Sequence, residues 1–264
     1  MTTRVSSHRG VSLLEILVVV VIIGLIVLLT LPAIQGAREM ARRGQCLNNL
    51  RQIGIGIHAY IGTYQCFPQA HNGKGYSPLV VILPFLDQKR VYDSINFNLP
   101  YPPTVSIEHL TASRLALAVF MCPSDGQQLS AGSTNYAGNR GVGYTETSHA
   151  NNGLFTHPLY ASPVGLQGIA DGSSNTAAYS EWLIGSNGRS SRDAKRVVYS
   201  TNTSYARSDQ LSEFVRACKG VDVAQAESVG PGKGREWMHG DFISTLYNHA
   251  IIPNGHSCTN GGLV

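Results

Sequence analysis

Arg9-Gly10-Val11-Ser12-Leu13-Leu14-Glu15-Ile16-Leu17-Val18-Val19-Val20-Val21-Ile22-Ile23-Gly24-Leu25-Ile26-Val27-Leu28-Leu29-Thr30-Leu31-Pro32 is the stretch that decides how this chain is organised. From Ile16 to Ala37 there are 22 consecutive residues without a charge, and Ile16–Leu31 is almost entirely Val, Ile and Leu. At about 1.5 Å of rise per residue, roughly 20 such residues cross the hydrocarbon core of a bilayer. A cleaved secretory signal has a shorter apolar core, about 7–15 residues, with a small-x-small site after it. Here the run is longer, and Pro32-Ala33-Ile34-Gln35-Gly36 leads into an amphipathic pattern. The reading is a retained membrane helix, with its transmembrane part at residues 11–34.

The rest of the composition is read against that segment. The chain has 264 residues, 43% apolar and 14% charged, too apolar for a disordered tail. Its net charge of +4 is confined to residues 1–51, where six Arg (Arg4, Arg9, Arg38, Arg42, Arg43, Arg51) face two Glu (Glu15, Glu39). Residues 52–264 carry fourteen basic and fourteen acidic side chains and balance. A nucleic-acid footprint over the main domain is therefore not expected.

Glu15 stands at the start of the apolar helix, where an ionised carboxylate costs about 3 kcal/mol near the bilayer centre and less near the interface. Alone, it reads equally well as a headgroup-level residue that favours a helix N-terminus. Its spacing resembles the class III prepilin signal: a short basic leader, a Gly, then an apolar helix with Glu at its fifth position. The resemblance implies that a membrane prepilin peptidase cuts between Gly10 and Val11 and methylates the new amine. Glu15 then becomes residue five, and Pro32 occupies the position at which type IV pilins and type II secretion pseudopilins carry a proline. It also implies that Glu15 neutralises the N-terminal ammonium of a neighbouring subunit, an assembly contact. Val11 departs from the usual Phe or Met. The Arg count on either side of the helix does not orient it; the resemblance places the N-terminus in the cytoplasm and the following domain outside the inner membrane.

Beyond Pro32, Ile34, Ala37, Ala41, Leu47, Leu50, Ile53, Ile57 and Ile61 recur at three- and four-residue steps, a single apolar stripe on a helix. The long helix is placed at residues 11–68, kinked or unwound at Pro32 and stopped by Phe67-Pro68, with the stripe presented to a globular domain. Ala37–Gly54, Leu83-Pro84-Phe85-Leu86-Asp87-Gln88, Phe120-Met121-Cys122-Pro123-Ser124-Asp125 and Thr134-Asn135-Tyr136-Ala137-Gly138-Asn139 make the chain similar to a large group of pseudopilin-like proteins. So do Asp171-Gly172-Ser173-Ser174-Asn175-Thr176 with Glu181, and Tyr247-Asn248-His249 with Pro253-Asn254 and Cys258. That group, abundant in planctomycete-type bacteria, carries a prepilin segment followed by a domain of unknown function.

Residues 69–264 are rich in Gly, Ser, Asn, Thr and Tyr, with turn signals at Asn72-Gly73, Ser124-Asp125-Gly126, Asp171-Gly172 and Pro253-Asn254-Gly255. Strands are predicted at 79–83, 116–121, 177–182, 196–199 and 242–247, and short helices at 91–95 and 111–117. The fold class is α+β: a long N-terminal helix packed on a loop-rich antiparallel β domain. Five cysteines without a Cys-x-x-Cys suit an oxidising compartment better than a zinc knuckle. Along a helix Cys46 and Cys66 lie about 30 Å apart, beyond the roughly 7 Å reach of a bridge. The preferred scheme joins Cys46 to Cys122, tying the domain to its helix, and Cys218 to Cys258, leaving Cys66 free; other pairings stay open.

Catalytic and ligand motifs are sparse. Gly230-Pro231-Gly232-Lys233-Gly234-Arg235 lacks the first Gly and the Ser or Thr of a phosphate loop. His239, His249 and His256 near Asp241 match no zinc spacing. Asp171, Ser173 and Asn175 offer oxygens at alternate positions, as calcium loops do, but Glu181 falls one residue short of the distant bidentate ligand; they serve equally well as turn caps. No nucleophile elbow is present, and neither enzyme activity nor a cofactor is expected, calcium at 171–175 being the one candidate weighed. The function expected is a structural pseudopilin or pilin-like subunit whose partners are the prepilin peptidase, other pilin-like subunits and membrane lipid. The alternative is a membrane-tethered exported module that binds a glycan or protein.

Overall fold

The computed structural model of the chain describes residues 13–101, 109–126, 132–142, 153–185, 194–201, 205, 210–224, 226, 233–248, 251, 254–255 and 257–259. It is α+β, with a long N-terminal helix and a small mixed sheet among extended loops. By contact the chain divides into two units, Met1–Gly44 and Gln45–Val264. The boundary falls inside the first helix, so the later turns of that helix are an integral part of the globular unit.

Helix α1 runs over Leu13–Tyr64 and continues through Pro32. In the first unit its Leu, Val and Ile side chains are exposed all round, from Leu13 to Leu31. Glu39 is paired there with Arg42 at 2.8 Å and with Arg43 at 3.2 Å, neighbours one helical turn on. The helix ends at Gln65, which takes a left-handed φ of 60° and donates its N–H to Ile61 at 2.8 Å. Its side-chain amide donates to Gly62 at 3.0 Å, so two terminal carbonyls are satisfied locally.

In the second unit α1 buries Cys46, Asn49, Ile53, Gly56, Ile57 and Ile61, with Leu50 partly covered. This corrects the expected stripe at its start. Leu47 is 64% exposed, and Ile34, Ala37 and Ala41 are exposed in the first unit. The covered face starts at Cys46 because residues 46, 49, 53 and 57 share one side, and Leu47 lies about 100° round from Cys46 at 3.6 residues per turn. Gly56 is part of the face because Leu86 lies against it: a Cβ there would meet Leu86 Cδ2 at 2.8 Å.

The apolar run at 79–83, expected as a strand, is helical: α2 is Pro78–Val81 and a 3₁₀ turn follows at Leu83–Leu86. Pro78 and Pro84 each occupy the opening of a helical turn, where a missing N–H costs nothing. With Leu79, Val80, Ile82 and Leu83 all buried, the pattern has no alternation to distinguish strand from helix. Residues 118–120 form a 3₁₀ turn rather than a strand. Short helices α3 (Lys89–Asp93) and α4 (Leu110–Ser113) follow, and the later α5 (Leu211–Lys219) buries Phe214 and Cys218.

The sheet is mixed where an antiparallel one was expected. Strand β1 (Tyr136–Asn139) is central, antiparallel to β2 (Tyr179–Glu181) with Tyr136 opposite Glu181. It is parallel to β4 (Leu246–Tyr247), with Gly138 opposite Leu246. A second pair, β3 (Val198–Ser200) and β5 (Ser257–Thr259), is also parallel. Parallel neighbours require long connections, which the loop-rich chain supplies. The core gathers around Trp237, Tyr76, Tyr136, Phe120, Phe155 and Ile53, all fully buried. Trp237 Nε1 donates to Leu115 at 3.1 Å and Ser77 Oγ donates to the Trp237 carbonyl at 2.6 Å, so the indole N–H and carbonyl of this core residue are paired.

Candidate functional site

Two features stand out from the fold: the exposed apolar first unit, and a polar junction in the second unit where α1 meets the sheet. Glu15 lies in the first turn of α1, at the head of the exposed stretch, and Pro32 lies within the helix. Gly10 and Val11, the expected processing site, lie outside the described residues. By length and composition α1 is long and apolar enough to cross a membrane.

At the junction, the disulfide Cys46–Cys122 joins α1 to the segment before β1, across a sequence separation of 76. Hydrogen bonds that do not involve sulfur hold the same two residues. Tyr136 Oη donates to the Cys46 carbonyl at 2.9 Å, and the Cys122 N–H donates to Asn135 Oδ1 at 2.8 Å. The Asn49 amide donates to the carbonyls of Ala118 and Met121 at 3.0 and 2.8 Å. Burial, then the nearby Glu181 carboxylate, pushes the Tyr136 hydroxyl well above the usual phenol range.

Asn135 extends the network. Its amide donates to Asp125 Oδ2 at 2.6 Å and to the Trp182 carbonyl at 3.0 Å. Asp125 Oδ2 also accepts the Ile184 N–H at 2.9 Å, and its Oδ1 faces the Arg196 guanidinium at 2.5 Å. Arg196 donates as well to the carbonyls of Ile184 and Asp125, at 2.9 and 2.8 Å. Asp125 is buried, Arg196 is partly covered, and both are hydrogen-bonded beyond their own contact, the condition under which a buried charge is tolerated. A second disulfide, Cys218–Cys258, ties α5 to β5, and Cys66 is a half-buried free thiol.

A histidine pair laces two loops together. Ala70 N donates to the Thr156 carbonyl and Phe67 N to that of Val164, at 2.8 and 2.7 Å. Beside them His71 Nε2 faces His157 Nε2 at 3.0 Å. Each Nδ1 accepts a backbone N–H, from Gly73 at 3.1 Å and from Leu159 at 3.2 Å. Those two contacts and the inter-ring bond call for three nitrogen lone pairs, and two neutral imidazoles own two. Burial, then His157, Arg140 and His239, lowers the His71 pKa to about 4. The pair is unsuited to a metal ion, which prefers histidines whose other ring nitrogen donates its N–H.

The oxygen-bearing turn at 171–176 is closed on itself. Asn175 Nδ2 donates to the Asp171 carbonyl at 3.0 Å and Thr176 Oγ1 to that of Gly172 at 3.1 Å, with φ of 79° at Gly172. Among the described residues, Cys46, Cys122 and Glu181 are the group of metal-ligand side chains that converges, with donor atoms within 4.8 Å of one another. Partial desolvation by its neighbours raises the Glu181 carboxyl above its ordinary value, although the residue as a whole stands exposed. No spacing signal could have found this group, since its three members come from separate elements brought together by sheet pairing.

These features define an α+β protein with an N-terminal apolar helix and a disulfide-tied loop-rich domain, compatible with a membrane-anchored exported protein. The chain belongs to a family described as protein of unknown function DUF1559, whose model matches residues 35–262. The match begins after the apolar run, and so covers the globular unit and the last part of α1's first unit. Among curated proteins and among solved structures, nothing matches the chain.

Proposed function

We propose that this chain is a structural, pseudopilin-like subunit. Prepilin peptidase removes residues 1–10, Val11–Leu31 holds the subunit in the inner membrane with its N-terminus cytoplasmic, and the domain is exported. Subunits then assemble through Glu15 and a neighbour's N-terminal ammonium into a type II secretion pseudopilus or a type IV pilus-like filament. The observation that carries this reading is the helix from Leu13 to Leu31, exposed on every face, with a carboxylate in its first turn. Such a helix requires lipid or other helices around it, and a carboxylate drawn among apolar helices is stabilised by a positive partner.

A Glu15→Ala variant tests the proposal. Self-crosslinking between subunits in the producing cell should fall sharply while membrane insertion and processing continue. Unchanged crosslinking with normal processing would contradict the assembly role. That result would favour the second reading, a membrane-tethered binding module, for which the adjacent Leu159 (78% exposed) and Tyr160 (41% exposed) are outward side chains a ligand could meet.

A further inference from the structure

Past its apolar run the first unit of α1 turns basic. No residue from Ile16 to Ala37 is charged, and the turns that follow bring Arg38, Glu39, Arg42 and Arg43. Three guanidinium groups against one carboxylate leave this short stretch positive. The three arginines are exposed and Glu39 is half-buried beneath two of them. Glu39 accepts from Arg42 Nε at 2.9 Å and from Arg43 Nε at 3.2 Å. Arg43 engages it through Nε alone, so both terminal amino groups of Arg43 point away from the pair, and Arg38 takes no part in the pairing.

The position of the cluster relative to the span identifies what it meets, and so the inference rests on the reading of α1 as a membrane helix. With the span ending at residue 34, a rise of about 1.5 Å per residue sets Arg38, Arg42 and Arg43 about 6, 12 and 14 Å farther along the axis. The headgroup layer is about 5–8 Å deep on each side of the hydrocarbon. Helical side chains lean toward the N-terminus, here back toward the bilayer. Arg38 thus lies at phosphate level, and Arg42 and Arg43 stand above it within the screening length of about 10 Å at 0.1 M salt. We propose that Arg38, Arg42 and Arg43 form a docking surface for the phosphates of anionic phospholipid headgroups. The guanidinium fork matches a phosphate bidentately, and basic side chains beside a span are drawn to an anionic surface. Glu39 holds Arg42 and Arg43 in place, and its own charge moderates the attraction. Docking here fixes the depth of the helix and holds its exit from the bilayer at the surface.

The test uses the full chain in vesicles of phosphatidylcholine and phosphatidylglycerol, and reads the relative association of spin-labelled forms of the two lipids with the protein. Flotation with phosphatidylcholine vesicles establishes insertion. A chain that fails to float overturns the membrane reading and this inference with it, whereas insertion without a headgroup preference overturns this inference alone. Arg4 and Arg9 flank the other end of the span, so the quantity that decides is the change from wild type. Preference for phosphatidylglycerol should fall about threefold or more in the triple variant R38Q/R42Q/R43Q and rise in Glu39→Gln. Arg90→Gln, which removes an exposed cation of the second unit, should leave it unchanged. Raising salt from about 0.1 M to about 1 M shortens the screening length to about 3 Å and should erase the difference between wild type and the triple variant. The proposal is overturned by an unchanged preference in the triple variant, by an equal fall in Arg90→Gln, or by displacement with free phosphate at matched ionic strength. If the triple variant loses helicity by circular dichroism, Glu39→Gln decides alone, and the absence of an increase overturns the proposal.

Discussion

Tyr136 Oη donates a hydrogen bond to the carbonyl of Cys46 at 2.9 Å, so the central strand is tied directly to a mid-helix peptide of α1. Both residues are buried. The bond makes the docking of strand on helix specific in register. Tyr136→Phe keeps the ring and removes the donor, and should cost about 1 kcal/mol of stability. A denaturant midpoint in detergent that equals wild type would show that the contact adds nothing.

Removing the acidic centre of the junction should be far more severe. Asp125→Ala removes the carboxylate that faces Arg196 and accepts from the Asn135 amide and the Ile184 N–H, leaving the Arg196 charge with carbonyl partners but no counter-charge from Asp125. Breaking a buried pair from one side costs about 3–5 kcal/mol. The expected outcome is early thermal unfolding and proteolysis within 45–264, with α1's exposed first unit unchanged in helicity. A loss under 1 kcal/mol, by about the scale of an exposed pair, would show that the network is not structurally important.

Gly75 carries a backbone constraint. Its φ is 91°, and a Cβ would fall 2.1 Å from the carbonyl oxygen of Tyr101. A Gly75→Ala variant meets both left-handed strain and backbone overlap, and should lose about 3 kcal/mol. Thermal unfolding checks this, and a wild-type midpoint would refute it.

The pH response follows from the histidine pair. His71 titrates near pH 4 in the folded chain, below its ordinary 6.5, so as pH falls the unfolded chain takes up its proton first. The contribution is complete above about 6.5 and is lost as pH falls from there toward about 4. His157, Arg140 and His239 oppose the added proton and Asp241 favours it. Unfolding midpoints measured across this window should fall less steeply for His71→Gln than for wild type. Equal slopes would remove His71 as the cause.

Much of the helix was legible because burial on one side of a helix leaves a period. Ile53, Ile57 and Ile61 were read on the covered face and lie there. Leu47 was misplaced because hydrophobicity alone does not mark where the covered face begins, and Cys46 and the polar Asn49 begin it. In the run Leu79–Leu83 four residues are buried and Val81 is partly covered, which erases periodicity, and only Pro78 and Pro84 signal helical turns. Strand β1 escaped because Tyr-Ala-Gly-Asn is buried at every position and lacks β-branched residues. The His71–His157 contact and the approach of Glu181 to the disulfide are long-range consequences of folding, with no local pattern to announce them.

The central claim, a processed and membrane-anchored subunit, is tested most directly by the intact mass of the chain purified from its producing cells. The account predicts a chain beginning at Val11 and carrying one added methyl group. A chain that starts at Met1, or one cut after about residue 35 in the manner of a secretory signal, would contradict it.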